Sequence, residues 1–231
     1  FNNHDAQETI KQFRAVDFDV SFNPSDDISV QFIRAGHILG AASIFVKMQD
    51  EGREKKLLFS GDIGRVEQPL IDSFDADFQE EPDYIFIESL YGGVEHPDRE
   101  QNVNELLDIV NRTIKKGGNV FIPVFSVQRS QEVMHDLKMA REEGKISKKT
   151  PVWLDSPLAQ KVSKIYTAAL QHTPESQFDF DNLRYVNRYR QSLALSKKKR
   201  QIILAGSGMA AGGRILSHFA TGLKDPKNTV I

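Results

Sequence analysis

Three short stretches of this 231-residue sequence place polar groups beside glycines: AGHILGAAS (35–43), FSGDIGR (59–65) and ESLYGG (88–93). Each follows a run rich in β-branched or aromatic residues, so each polar group reads as sitting at a strand end. His37 lies between Gly36 and Gly40, Asp62 between Gly61 and Gly64, and Glu88 closes the run DYIFIE. Glycine admits positive φ and lets backbone approach closely. An imidazole and a carboxylate form a suitable donor pair for Zn²⁺ or Mn²⁺. A second carboxylate nearby can orient a histidine and tune its proton affinity. Taken singly, each residue has a plainer reading: a structural loop histidine, a turn acid, a cap. Taken together, they predict one shared rim.

The elements that must position this rim are short. Strand-like runs cover 28–33, 43–48, 56–60 and 83–88, and a helix over 5–15 is expected to bury Ile10 and Phe13. After Gly92-Gly93 the rhythm changes. Helices at 101–116, 128–142, 157–171, 182–196 and 211–222 alternate with strands at 119–123, 151–154 and 201–205, and another strand opens at 228. This alternation predicts a parallel sheet, and the fold class is α/β. The boundary falls near residue 93, between a β-rich part (1–92) and an α/β part (93–231). Strand-to-helix turns of the second part carry Ser126, Arg129, Ser207 and Gly208. Backbone N–H groups at helix starts bind phosphates, and arginine adds a bidentate fork. Arg214 is a further candidate, with an ordinary helix-surface role as the alternative. GSGMAAGG is glycine-rich but lacks the dinucleotide-binding spacing. Lys197-Lys198-Lys199-Arg200 reads either as a solvated helix end or as a nucleic-acid contact.

Net charge is −2, so any nucleic-acid partner must meet a local patch rather than a global basic field. The apolar fraction of 39% and charged fraction of 27% are those of a soluble globular protein. No apolar run approaches the ~18 residues of a membrane helix, and the start is not a signal peptide. Cysteine is absent, which excludes disulfides, thiolate zinc sites and a cysteine nucleophile. A reducing, cytoplasmic setting is expected. The chain opens on Phe1 and closes on a strand-like Asn228–Ile231, so the sequence is expected to be a piece of a longer polypeptide.

In order along the chain, these motifs resemble those of the β-CASP branch of the metallo-β-lactamase fold, a group of RNA- and DNA-processing nucleases. AGHILGAAS resembles the family's third metal motif and FSGDIGR its fourth. ESLYG resembles the first β-CASP motif, usually E-S-T-Y-G, and His96 stands where the family often has a histidine. GGNVFIPVFSVQRSQEV (117–133), PVWLDSPLA (151–159) and ILAGSGMAAGGRILSHF (203–219) extend the likeness over nearly the whole chain. The sequence looks most like the bacterial and archaeal members that are similar to the eukaryotic pre-mRNA 3′-end endonuclease.

The resemblance implies part of a metallo-β-lactamase αββα fold at 1–92, then a Rossmann-like parallel α/β β-CASP domain at 93–231, truncated at its C-terminal end. It implies that His37 binds one Zn²⁺, with Mn²⁺ as an alternative metal, and that Asp62 bridges two. Glu88 would hold a histidine acting as general acid. A two-metal site makes a bridging hydroxide near neutral pH and stabilises charge developing on phosphorus. The implied partner is single-stranded RNA, with DNA as an alternative, contacted by Ser126, Arg129, Ser207, Gly208 and Arg214. A homodimer is expected of the full-length protein. Some features depart from the family. The H-x-H-x-D-H motif and the two later histidine motifs are not in this sequence, Leu90 replaces the usual Thr, and Gln128 stands where Gly is common. Two ligands alone hold zinc poorly, so this stretch by itself is expected to be inactive. A non-catalytic RNA-binding scaffold is the alternative class. A small-molecule metallohydrolase is disfavoured by the α/β insert, which simple members lack.

Overall fold

Alternating residues in ASIFVKMQD and REKKLLF build a long hairpin at the centre of the first unit. The computed structural model describes all residues except 1, 77, 79, 171, 172 and 174–177, and it divides into two compact units, Phe1–Gly92 and Gly93–Ile231. In the first unit, helix α1 (Asn3–Lys11) precedes strands β1 (Ser21–Ser25), β2 (Ile28–Arg34), β3 (Ala42–Asp50), β4 (Arg53–Phe59) and β5 (Tyr84–Phe86). They form one sheet in the order β1-β2-β3-β4-β5. The β3–β4 turn places Glu51 at φ 48° and Gly52 at φ 76°, the paired positive φ of a tight two-residue hairpin. Ile33, Phe45 and Leu58 make the buried cluster of this sheet.

Strand direction brings the rim together. β3 is antiparallel to both β2 and β4, and β5 is parallel to β4. The C-terminal ends of β2, β4 and β5 therefore lie at the same end of the sheet. There the rings of Phe59 and Phe86 stack with centroids 4.7 Å apart. β1 pairs with β2 but was not anticipated, because Pro24 weakens the strand signal while being tolerated at a sheet edge. Ile10 and Phe13 are exposed, at 62% and 75%, because α1 is held by its own Asn2/Asp5 capping box rather than by a packed layer.

The second unit has α2 (Arg99–Lys115), β6 (Val120–Pro123), α3 (Arg129–Glu142), β7 (Val152–Asp155), α4 (Pro157–Ala169), β8 (Leu183–Tyr185), α5 (Tyr189–Leu195), β9 (Ile202–Ala205), α6 (Arg214–Gly222) and β10 (Thr229–Val230). Its sheet has the order β10-β6-β9-β7-β8, and every described pairing is parallel. Ile202, Ile203 and Leu204 are wholly buried, as expected of a central strand covered on both faces. The helix expected over 182–196 is instead strand β8 followed by the short α5. Leu183–Tyr185 pair with Val152–Leu154, and Val186 is buried, so non-local pairing overrides local helix preference. The helix expected to reach residue 171 is described as far as Ala169; residue 171 lies outside the described residues. No described helix is long and apolar enough to cross a membrane.

One buried carboxylate ties this unit together. Asp155 ends β7 with a fully buried side chain. Its Oδ1 accepts from the Arg214 guanidinium and its Oδ2 from the Ser192 hydroxyl, while His218 Nε2 stands 2.7 Å from Oδ2. Burial pushes the Asp155 carboxyl up, but the hydrogen bonds from His218, Ser192 and Arg214 outweigh it and hold the group below its usual range. A depressed carboxyl contributes stability that is complete above its unfolded value, about 3.9, and is lost as pH falls through the folded value. Asp155→Asn strands a buried arginine without its counter-charge. It should cost about 3–5 kcal/mol in urea unfolding at neutral pH, and the wild-type advantage should shrink as pH falls below about 4.

Candidate functional site

Backbone contact between the β2 and β4 loops sets the geometry. Gly36 has φ +63°, and a Cβ there would come within 2.5 Å of Phe74 N. Gly64 N donates to Ala35 O at 2.8 Å. A Cβ on Gly64 would fall 1.7 Å from Gly36 O, so the two loops meet with no room for a side chain. Ser43 Oγ donates to Ser60 O at 2.8 Å, holding the base of the second loop to β3. With the loops locked in this way, His37 Nε2 stands 3.8 Å from Asp62 Oδ2, and the two side chains are 47% and 77% exposed.

Glu88 reaches this loop from the end of β5. Its Oε1 accepts from Ile63 N and its Oε2 from Leu90 N, both at 3.1 Å. Its own N–H donates to Ser60 Oγ at 3.0 Å, and Ser60 Oγ donates to Gly61 O at 2.7 Å. The Ile63 and Leu90 N–H groups hold the Glu88 carboxyl below its usual range; partial desolvation opposes this and the nearby His37 adds to it. Glu88 is thus an anionic clamp on the loop that carries Asp62. His37, Asp62 and Glu88 share one end of one sheet.

His37 and Asp62 are chemically suited to a divalent cation, one through neutral nitrogen and the other through anionic oxygen. Among the described residues, no group of three or more His, Cys, Asp or Glu side chains is placed to hold a metal. The pair fits a portion of a metal site rather than a complete one.

In the second unit, the turns after β6, β7 and β9 draw hydroxyls together. Ser126 Oγ and Ser156 Oγ are 3.2 Å apart, and a Cβ on Gly206 would lie 3.9 Å from each. Ser207 Oγ is buried with no hydrogen-bond partner among the described residues. Gly208 packs against the ring of Phe125. Arg129 opens α3, pairs with Glu132 at 2.9 Å and is half-exposed. Arg214 stands elsewhere: besides Asp155 it donates to Val186 O and Asn187 O, both at 2.9 Å, and only 18% of its side chain is exposed. Its guanidinium is occupied in structure. Gln128 has φ +62°, which accounts for the glycine common at that place. Tyr166 Oη anchors it by donating to Gln128 Oε1 at 2.6 Å. Of the basic run, Lys198 lies over the Trp153 ring at 4.3 Å and Lys199 pairs with Asp225 at 2.6 Å. Sequence reading passed over Ser156 and Phe125. Ser156 carried the same signal as Ser126, a serine just past a strand; Phe125 carried none, because an aromatic after an apolar run reads as core.

Gly64→Ala should destabilise the first unit by about 1–3 kcal/mol, the range for forced overpacking. Gly212→Ala meets nothing within 4 Å and should stay within about 0.5 kcal/mol of wild type. Thermal unfolding of the two variants checks this contrast.

Comparison with known proteins gives a consistent picture. Residues 130–231 match the Beta-Casp domain family. The whole chain is 33% identical to Ribonuclease TTHA0252 of Thermus thermophilus and 29% identical to an RNase J-like protein of Methanocaldococcus jannaschii, covering 54% of each. It is 28% identical to the transcription termination factor FttA of Methanothermobacter thermautotrophicus, covering 38% of that protein. The chain spans about half the length, or less, of these curated relatives. The likeness covers both units, while the family match lies within the second. Residues 130–231 thus match the Beta-Casp domain family, on a chain similar over its whole length to proteins named as ribonucleases.

Proposed function

We propose that this chain is part of a metal-dependent ribonuclease that hydrolyses phosphodiester bonds in RNA processing or decay. The observation that carries the reading is the strand-end rim, where His37 and Asp62 face each other at 3.8 Å beside an ionised Glu88. Relatives named as ribonucleases support it. His37 and Asp62 would hold part of a Zn²⁺ or Mn²⁺ site, whose chemistry is to supply hydroxide near neutral pH and to stabilise charge on phosphorus. An anionic Asp62 suits a place between two cations, since a neutral ligand could not offset their repulsion. Glu88 keeps its charge and fixes the Asp62 loop through Ile63 N. Single-stranded RNA is the proposed substrate, with Ser126, Ser207 and Gly208 meeting the strand. Arg129, half-exposed at a helix start, would join them. The proposed setting is cytoplasmic, and the proposed assembly a homodimer.

A second reading is a non-catalytic RNA-binding scaffold of the same fold. It is favoured by one relative that is named as a transcription termination factor rather than a nuclease.

The deciding experiment incubates the full-length natural protein with end-labelled RNA and either Zn²⁺ or Mn²⁺, alongside Asp62→Ala. The expected outcome is a fall in cleavage rate of at least about 100-fold, the scale of losing one transition-state contact. Equal rates would remove Asp62 from the chemistry. Absence of cleavage of RNA and DNA by the parent with either metal would favour the scaffold.

A further inference from the structure

We propose that Phe125 is a stacking platform for a nucleobase of single-stranded RNA, set beside the hydroxyls of Ser126, Ser156 and Ser207. This deepens the RNA reading above and rests on it. In open parallel sheets, ligands bind outside the carboxyl ends of the strands, where neighbouring strands send their connections in opposite directions. β6 and β9 are such neighbours: in the order β10-β6-β9-β7-β8, the chain leaves β6 toward β7 on one side and leaves β9 toward β10 on the other. Phe125 and Ser126 lie in the turn after β6, and Ser207, Gly208 and Met209 lie in the turn after β9.

The ring is both exposed and fixed. Val124, one residue earlier, is buried and donates through its N–H to Ala205 O at 3.0 Å. Phe125 itself is 52% exposed. Its carbonyl accepts from Ser130 N at 3.2 Å and from Ser130 Oγ at 2.6 Å, which pins its backbone to the first turn of α3. Its ring rests on Gly208, where a Cβ would come within 2.7 Å of it. An aromatic ring held this way loses little rotamer freedom when a base stacks on it. Stacking is tolerant of base identity because every base has a π-face. Ser207 Oγ, buried without a partner, adds an unused polar group in the same turn. The neighbouring Met209, 75% exposed, widens the apolar surface. One ring bordered by hydroxyls suits a base and its sugar-phosphate better than a protein partner, which needs a wider apolar patch.

The test measures fluorescence anisotropy of a labelled oligoadenylate and of a matched strand with abasic positions, bound to full-length protein carrying Asp62→Ala so that the strands survive. Phe125→Ala should weaken oligoadenylate binding roughly 5- to 100-fold and leave the abasic strand unchanged. Phe125→Trp should restore the affinity. Gly208→Ala, which displaces the ring, should behave like Phe125→Ala, and unfolding midpoints of all variants should match the parent within a few degrees. Unchanged oligoadenylate affinity in Phe125→Ala would overturn the proposal and leave the ring to a protein partner. An equal loss for both strands would overturn it in favour of a general packing role. Failure of the parent to bind either strand would overturn the RNA reading itself, and this proposal with it.

Discussion

Backbone meeting backbone at Gly36 and Gly64 is the contact on which the strand-end rim depends. A side chain on Gly64 would sit 1.7 Å from the Gly36 carbonyl, far inside any van der Waals distance. Gly64 can lie against the Gly36 carbonyl only because it lacks a Cβ, Gly36 in turn makes room for the Ser73–Phe74 backbone, and in this arrangement His37 and Asp62 stand 3.8 Å apart. The ladder of β2, β3 and β4 aims the loops at the same end of the sheet. Packing at the two glycines then turns a common direction into a defined distance. Glu88 acts on the same loop from the other side through the Ile63 N–H. Its carboxyl is stabilised as an anion by two backbone donors, so the clamp and the local negative charge are one feature.

The second unit solves a different problem. A parallel sheet covered on both faces needs apolar central strands, and β9 is wholly buried. A carboxylate at the end of β7 would be costly there unless it were fully paired. Asp155 meets that condition with Ser192, Arg214 and His218, which come from α5 and α6. The network thereby joins β7 to two helices distant in sequence. Arg214 is held for this task, and the hydroxyls of Ser126 and Ser156 in the turns after β6 and β7 pair with each other instead.

Much of this was legible in the residues. Alternation in 43–48 and 56–60, the glycine punctuation at 92–93 and the apolar runs at 119–123 and 201–205 mark strands and a change of architecture, because these signals are local. The polar groups at strand ends were legible for the same reason. Less legible were features decided by distant partners. Leu183–Tyr185 has no strong strand signal and becomes one by pairing with β7. Ile10 and Phe13 have helical spacing, yet spacing alone supplies no surface to pack on. Arg214 looks the same in sequence whether it points to a phosphate or to Asp155, 59 residues away.

By itself, then, the sequence determined which chemical groups this protein can present and that they stand at the ends of strands. Residue type and short-range periodicity suffice for that. The tertiary structure alone decided the distance between His37 and Asp62, the attachment of Glu88 to the Asp62 loop, the confinement of Arg214 and the exposure of Phe125. Each of these depends on contacts between residues far apart in the chain, and such contacts form only when each sheet assembles and brings its own strand ends together.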